Sequence, residues 1–338
     1  MKHLVTGGSG FVGNFIARRL AARGEEVTVF DLWEDSSRPA EIRFLRGDVC
    51  DPKSVAGAMK GIDVVHHNAA CVPLTKSLSG FEKVNVNGSR IVAEAAVRAR
   101  IKYFIYTSSS AIFGIPPEVP ITENTPAKPI EGYGRTKWEG ECAVREIAEK
   151  GGMRLFVFRP RTVLGEGRLG IFQILFERVR SGRDIYIIGN GSNKFQFIHV
   201  EDLLDAYFAA LDSQKPGIYN VGTDRFGTLR DCLGNLVRFA GSRSRIRPLP
   251  TRIAIPVLTA LDFLKLSPLS PWQYRTYHID FYFDLSGISA LGWKPRYSND
   301  EMMCESYAWY LRNRMSLKSP GQSSHRRGVK ERIISLMR

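Results

Sequence analysis

The chain has 338 residues, five cysteines and a formal net charge of +14. That length buries a large core, as one big α/β domain or one domain with a smaller appendage. The cysteines (Cys50, Cys71, Cys142, Cys232, Cys304) are scattered without a C-x-x-C pair, so they read as reduced thiols and exclude a disulfide framework or a cysteine metal site. No apolar run reaches the roughly 18–20 residues that span a bilayer. The chain opens directly on a strand, with no basic segment leading into an apolar one, and the expected location is the cytoplasm. Half of the excess charge lies in residues 312–338, where eight Lys and Arg stand against Glu331 alone. The body is only mildly basic, which suits an acidic small ligand and does not call for nucleic acid.

In chain order, Leu4 and Val5 open a buried first strand, and Gly7, Gly10 and Gly13 follow at the spacing G-x-x-G-x-x-G. Phe11, Val12, Phe15, Ile16 and Leu20 then carry the chain into an amphipathic helix. Strand, glycine turn and helix N-terminus in this order form a dinucleotide fingerprint. Glycines let the backbone approach a pyrophosphate, whose charge meets free N–H groups and the positive end of the helix. The second strand, Glu26 to Phe30, ends on Asp31, where an acid holds the ribose diol of an adenosine. Its neighbours are Leu32 and Trp33 rather than arginines, which favours NAD over NADP; Arg38 is the residue that could reverse this.

A third strand, Ile42 to Leu45, ends at Gly47-Asp48-Val49, and Asp48 and Val49 are placed beside the adenine. A fourth, Asp63 to His67, ends in Asn68-Ala69-Ala70, and the small Ala69 and Ala70 let a cofactor lie against the strand end. After a helix through Ile91, Ala95 and Ala96 comes a fifth strand, Tyr103 to Tyr106, running into Thr107-Ser108-Ser109-Ser110. A helix over about 136–150 and a sixth strand, Leu155 to Phe158, follow. Strands alternating with helices predict an α/β fold with a doubly wound parallel sheet. Beyond Pro160 the pattern loosens into a region read as a smaller lobe over the cofactor.

The chemistry centres on Tyr133-Gly134-Arg135-Thr136-Lys137. Tyr133 and Lys137, four apart at a helix start, share one face. An ammonium beside a phenol lowers its pKa from about 10, so Tyr133 can exchange a proton with an alcohol oxygen while the carbon bearing it exchanges a hydride with NAD. Ser109 binds the same substrate oxygen. His66 and His67 lack partners at metal spacing, so no metal is assigned. His199 reads as a satisfied core imidazole, and Asp202 as an ordinary helix-start residue.

Taken together, TGGSGFVG, Asp31, GDV, HNAA, VNVNG, TSSSAIFG, YGRTK, RP and GNGSNKFQFIHVEDL resemble the extended short-chain dehydrogenases/reductases of the NAD-dependent epimerase/dehydratase kind, over residues 1–312. The resemblance implies a Rossmann-like NAD domain at 1–160, to which later segments return, a substrate lobe mainly at 161–312, and a basic tail at 313–338. It implies a catalytic Ser109–Tyr133–Lys137 set, with Ser110 as the fallback, and places Asn85 and Asn87 near the nicotinamide. Relatives that dehydrate or decarboxylate carry an acid one or two positions after the catalytic serine; Ser110 and Ala111 stand there, which resembles the sugar epimerases.

Two positions depart from the nucleotide-sugar pattern. Thr162 replaces an asparagine that reaches the diphosphate, and the stretch before Ile198-His199 reads Lys194-Phe195-Gln196-Phe197 where an arginine is usual. Lys194 or Arg168 would supply the positive charge, as point charges. The rival reading is a dehydrogenase or ketoreductase similar to the 3β-hydroxysteroid branch, supported by an apolar helix from Ile253 to Leu266 that otherwise reads as packing. In the tail, Val329, Ile333, Ile334 and Met337 share a helical face flanked by arginines, a pattern open to weak membrane-surface contact or to a solvated tail. A homodimer through helices beside the YGRTK segment is carried over from the family.

Overall fold

The computed structural model describes residues 1–72, 78–264, 267 and 269–315; the amphipathic tail pattern lies outside them. Seven strands form one sheet: β1 (Lys2–Thr6), β2 (Glu26–Asp31), β3 (Arg43–Arg46), β4 (Val64–His67), β5 (Tyr103–Thr107), β6 (Arg154–Pro160) and, from well beyond residue 160, a strand at Gly217–Val221. Every pairing is parallel, and the order is Gly217–Val221, β6, β5, β4, β1, β2, β3. The winding reverses between β1 and β4, and the carboxyl ends of these two strands flank the crevice where such sheets bind ligands.

Helices cover both faces. α1 (Phe11–Ala22) lies on one face, and Ile16 and Leu20 join Val29 and Ile105 in one core cluster. On the other face lie α2 (Pro52–Ala58), a helical stretch whose parts are α3 (Leu78–Phe81), a π-helical segment (Glu82–Gly88) and α4 (Ser89–Arg98), and then α5 (Gly132–Gly151). Val55, Val92, Ala96 and Val144 pack there against Leu4, Val65 and Phe104. Both faces being covered explains why β4 reads as an unbroken buried run, histidines included. His3 Nδ1 lies 3.0 Å from His66 Nε2, and His67 sits between the hydroxyls of Thr6 (2.7 Å) and Ser89 (3.0 Å).

Past residue 160 come β7 (Thr162–Leu164), α6 (Ile171–Arg180), β8 (Ile185–Ile188), β9 (Phe197–His199), α7 (Val200–Asp212), β10 (Gly217–Val221), α8 (Leu229–Phe239), β11 (Ile246–Leu249), α9 (Thr251–Phe263), α10 (Pro271–Thr276), α11 (Ser286–Ser289) and α12 (Asn299–Asn313). α7 returns to the sheet, where Leu203 and Tyr207 join the α1 cluster. β7 pairs with β9, and β8 with β11, around a second core of Phe172, Phe176, Phe195, Phe281 and Tyr307.

Asp202 stands in the first turn of α7, as the sequence predicts, but it is not an ordinary helix-start residue. His199 caps α7, its Nδ1 accepting from Glu201 N–H (3.3 Å), while Asp202 is fully buried and accepts the Arg296 and Tyr297 N–H groups (3.0 Å each). A carboxylate inside the helix thus fastens the chain that leads to α12. His199 also stacks on Tyr297 (3.8 Å) and lies 2.7 Å from Glu305 Oε2. Among the described residues no helix is long and apolar enough to cross a membrane, and no cluster of three His, Cys, Asp or Glu could hold a metal.

Candidate active site

The glycine turn fits a dinucleotide by geometry. Gly7 has φ +67°, and a Cβ there would stand 2.8 Å from the Ala69 backbone. A Cβ on Gly13 would stand 2.3 Å from the Gly7 carbonyl oxygen, so α1 can meet the turn only through a bare backbone. Gly10 begins α1 with no side-chain cap and no acid in the first turn, leaving the positive helix end open to an anion. Phe11 is buried and Val12 half-buried behind it. Asp31 receives Ser9 N–H (3.0 Å) and Leu32 N–H (2.7 Å), which fix its carboxylate beside the turn, while burial pushes its pKa up. Arg38 is held within its own loop by Glu34 and the Pro39 carbonyl (3.1 Å), which favours a ribose diol over a 2′-phosphate.

Asp48 accepts from Cys50 N–H (2.9 Å), and Val49 is buried beside Gly88. Ala69 and Ala70 follow β4 half-buried. The two asparagines part ways. Asn85 is buried and clamps Cys71, accepting its N–H (2.8 Å) and donating to its carbonyl (3.1 Å), so it shapes the segment after Ala70. Asn87 is exposed on the π-helical segment.

α5 begins at Gly132, four residues earlier than the sequence predicts, and Tyr133 and Lys137 stand one turn apart on it. Glu131 caps the helix through Tyr133 N–H (2.7 Å) and Gly134 N–H (2.6 Å). Gly134 and Gly140 let α5 press onto the backbone, since a Cβ would lie 2.5 Å from Ala111 O and 2.2 Å from Asn85 O respectively. Ser109 begins the 3-10 turn Ser110–Phe113 and lies near enough to the Tyr133 phenol to favour its ionised form. Ser110 turns inward, its hydroxyl accepting from Arg161 Nη1 (3.1 Å). The structure therefore brings Ser109 rather than Ser110 to Tyr133.

One expectation is corrected. Burial pushes the Tyr133 phenol up to about 12, against the opposing pulls of Ser109 and Arg168. Lys137 does not offset this, because its ammonium is itself buried, donates to the Thr107 carbonyl (2.7 Å) and the Tyr106 hydroxyl (3.3 Å), and is depressed to about 7. Desolvation here outweighs the helix-face neighbour. Deeper in α5, Glu141 binds Arg159 twice (2.6 and 3.2 Å) and accepts from Ser108 (2.6 Å).

On the side where the sequence places substrate contacts, Thr162, Arg161 and Arg168 lie near enough to the Tyr277 phenol to favour its ionised form. Arg168 is close enough to Tyr133 to favour its phenolate. Lys194 is not gathered into this group: its side chain is exposed, and its backbone N–H donates to Asp280 (2.6 Å). The neighbouring Phe195 goes inward beneath Arg161, whose guanidinium lies 4.7 Å from that ring and 4.0 Å from Phe281. Arg161 Nη2 is buried without a hydrogen-bond partner. Arg161 and Tyr277 escaped the sequence reading; a lone arginine between Pro160 and Thr162, at the end of an apolar strand, was the available signal.

The family model for the NAD dependent epimerase/dehydratase family matches residues 3–222. A Sinorhizobium fredii protein called uncharacterized protein y4nG is 42% identical over 99% of this chain and 85% of its own length. The UDP-glucose 4-epimerase of Lactobacillus helveticus is 29% identical over 92% of this chain and 97% of its own length. Human sterol-4-alpha-carboxylate 3-dehydrogenase, decarboxylating, is 33% identical over 62% of this chain and 57% of its own length. Among solved structures, Thermus thermophilus UDP-glucose 4-epimerase with NAD superposes with TM-score 0.75 at 25% identity, covering 92% of this chain and 99% of that one. The glycine turn, Asp31 and the Ser109–Tyr133–Lys137 corner thus sit in a chain that belongs to the NAD-dependent epimerase/dehydratase family and is an NAD-dependent enzyme.

Proposed function

We propose that this enzyme epimerises a nucleotide sugar of the UDP-glucose/UDP-galactose type without net redox change. The observation that carries the reading is the surroundings of Tyr133. Ser109 lies beside it, and Ser110 and Ala111 follow where dehydrating relatives carry an acid. The carboxylate that Tyr133 feels, Glu131, has both oxygens committed to α5 amides.

NAD, held by the Gly7–Gly13 turn, Asp31, Asp48, Val49, Ala69 and Ala70, supplies the hydride acceptor and donor when bound. Tyr133, once it has lost its own proton to become the phenolate that Ser109 and Arg168 favour, takes the proton of the sugar hydroxyl and later returns it. Ser109 donates a hydrogen bond to the same oxygen as it becomes a carbonyl. Lys137 holds the end of β5 and binds the ribose. Thr162 and Arg168 contact the substrate, with Arg168 supplying charge for the diphosphate and Arg161 buried behind. The family likeness also supports a homodimer packed beside Tyr133–Lys137, to be tested by sedimentation velocity.

The test is to denature purified protein and identify any released nucleotide, then give native protein UDP-glucose or UDP-galactose without added cofactor. Retained NAD with interconversion supports the epimerase. A protein that ignores UDP-sugars and turns over only with added NAD(H) overturns it. The second reading, a dehydrogenase of lipid-like alcohols or ketones, draws on the likeness to the human sterol dehydrogenase and on the apolar α9.

A further inference from the structure

We propose that α9 and the ribbon edge beside it form a docking surface for an anionic lipid bilayer. The proposal is independent of the choice of substrate. α9 packs one side onto the protein, where Ala254, Ile255 and Leu258 meet Ile188, Tyr274 and Leu269. Its other side is also apolar and faces water: Ile253 is 63% exposed, Val257 52% and Phe263 88%, with Leu264 just past the helix at 62%. Arg252 and Asp262 are its charged residues. A helix apolar all round is suited to burial or to a membrane. Its 13 residues extend about 20 Å, short of the roughly 30 Å hydrocarbon layer, so it would lie in the interface rather than cross it.

The neighbouring ribbon extends the surface. Ile188 packs on α9, and by the two-residue period of a strand Tyr186 shares its face. The register pairs Tyr186 with Arg247 and Ile188 with Leu249. Tyr186 and Leu249 are exposed there, as are Arg245 and Arg247, while Arg243 and Arg252 are exposed just before and after the ribbon. Asp184 pairs with Arg247 (2.8 Å), leaving a basic excess around an apolar stripe.

That sign selects the occupant. A two-fold contact with a second copy would set these arginines against one another. Residues 316–338 carry six Lys and Arg against Glu331, so the chain's own tail is repelled too. Anionic headgroups complement the rim, and acyl chains accept the stripe.

The full chain is sedimented with phosphatidylcholine vesicles with and without phosphatidylglycerol. Binding to the anionic vesicles is expected, weakened about 100-fold by combined Ile253→Gln, Val257→Gln and Phe263→Gln and about 30-fold by Arg245→Gln with Arg247→Gln. Unchanged melting and NAD content exclude misfolding; Phe263→Gln alone, at a side chain almost wholly in water, keeps the test open if the combined variant fails to fold. Absence of binding, binding that survives the Gln variants, or loss only on deleting residues 316–338 overturns the proposal. So does a self-association that the Gln variants abolish, which would give the face to a second copy.

Discussion

Two helical glycines that look alike in the sequence are expected to respond in opposite ways to alanine. Gly13 sits in α1 and Gly234 in α8. In a helix interior, Gly to Ala is worth about 1 kcal/mol of added stability when space allows. At Gly234 a Cβ meets nothing within 4 Å, so Gly234→Ala should raise Tm by about 2 °C. At Gly13 the Cβ would lie 2.3 Å from the Gly7 oxygen, more than 1 Å inside ordinary contact at 3.4 Å, and 2.9 Å from Gly8 Cα, also too close. The atoms met are backbone and cannot rotate away, so overpacking of about 3 kcal/mol outweighs the propensity gain and leaves about 2 kcal/mol of destabilisation. The larger effect falls on the ligand. Moving the turn by about 1 Å misplaces one or two amides aimed at the pyrophosphate, each worth roughly 1.5–3 kcal/mol, so NAD affinity should fall about 100-fold. Calorimetric titration of NAD together with thermal melts reads both quantities. A Gly13→Ala protein that binds NAD within about threefold of wild type would refute the claim that this packing builds the cofactor cradle.

Other consequences follow from groups already placed. Tyr133→Phe should lower kcat by about 10²–10⁴ while NAD binding is kept; unchanged turnover would remove Tyr133 from the mechanism. Glu141→Ala leaves Arg159 buried without its carboxylate and should cost about 3–5 kcal/mol, read as a lower urea midpoint. His3, pushed down to about 4, His67, pushed down to about 3, and His66, well below its ordinary value, are all buried in the sheet. The unfolded chain takes up protons below pH 6.5 while the folded one does not, so stability is full above 6.5 and falls as pH drops. By pH 5 each histidine should remove roughly 2 kcal/mol. Equal urea midpoints at pH 7 and pH 5 would contradict this.

The sheet was legible because burial on both faces leaves unbroken apolar strands, and because Gly7, Gly10, Gly13 and Asp31 are local features read from spacing. Tyr133 and Lys137 were legible for the same reason. What spacing could not reveal depends on distant segments meeting. Asp202, in the first turn of α7, reads as an ordinary helix-start acid until the Arg296–Tyr297 backbone arrives to be bound. Asn85 is recognisable as a clamp only once Cys71 lies against it. The pKa of Tyr133 was misjudged because helix periodicity reports the neighbour but not the dryness of the site. Arg161 was missed because only the tertiary structure slides its guanidinium over Phe195.

Lys137 and Glu141, one turn apart on α5, seize consecutive residues at the end of β5: the Thr107 carbonyl and the Ser108 hydroxyl. Ser109 comes next, so the corner bearing Ser109 and Tyr133 takes its register from within the sheet and α5. Under the proposed function, substrate preference would drift through the segments around 162–168 and 277 while the Ser109–Tyr133 corner keeps its alignment. Grafting those loops between relatives becomes a practical route to new specificities.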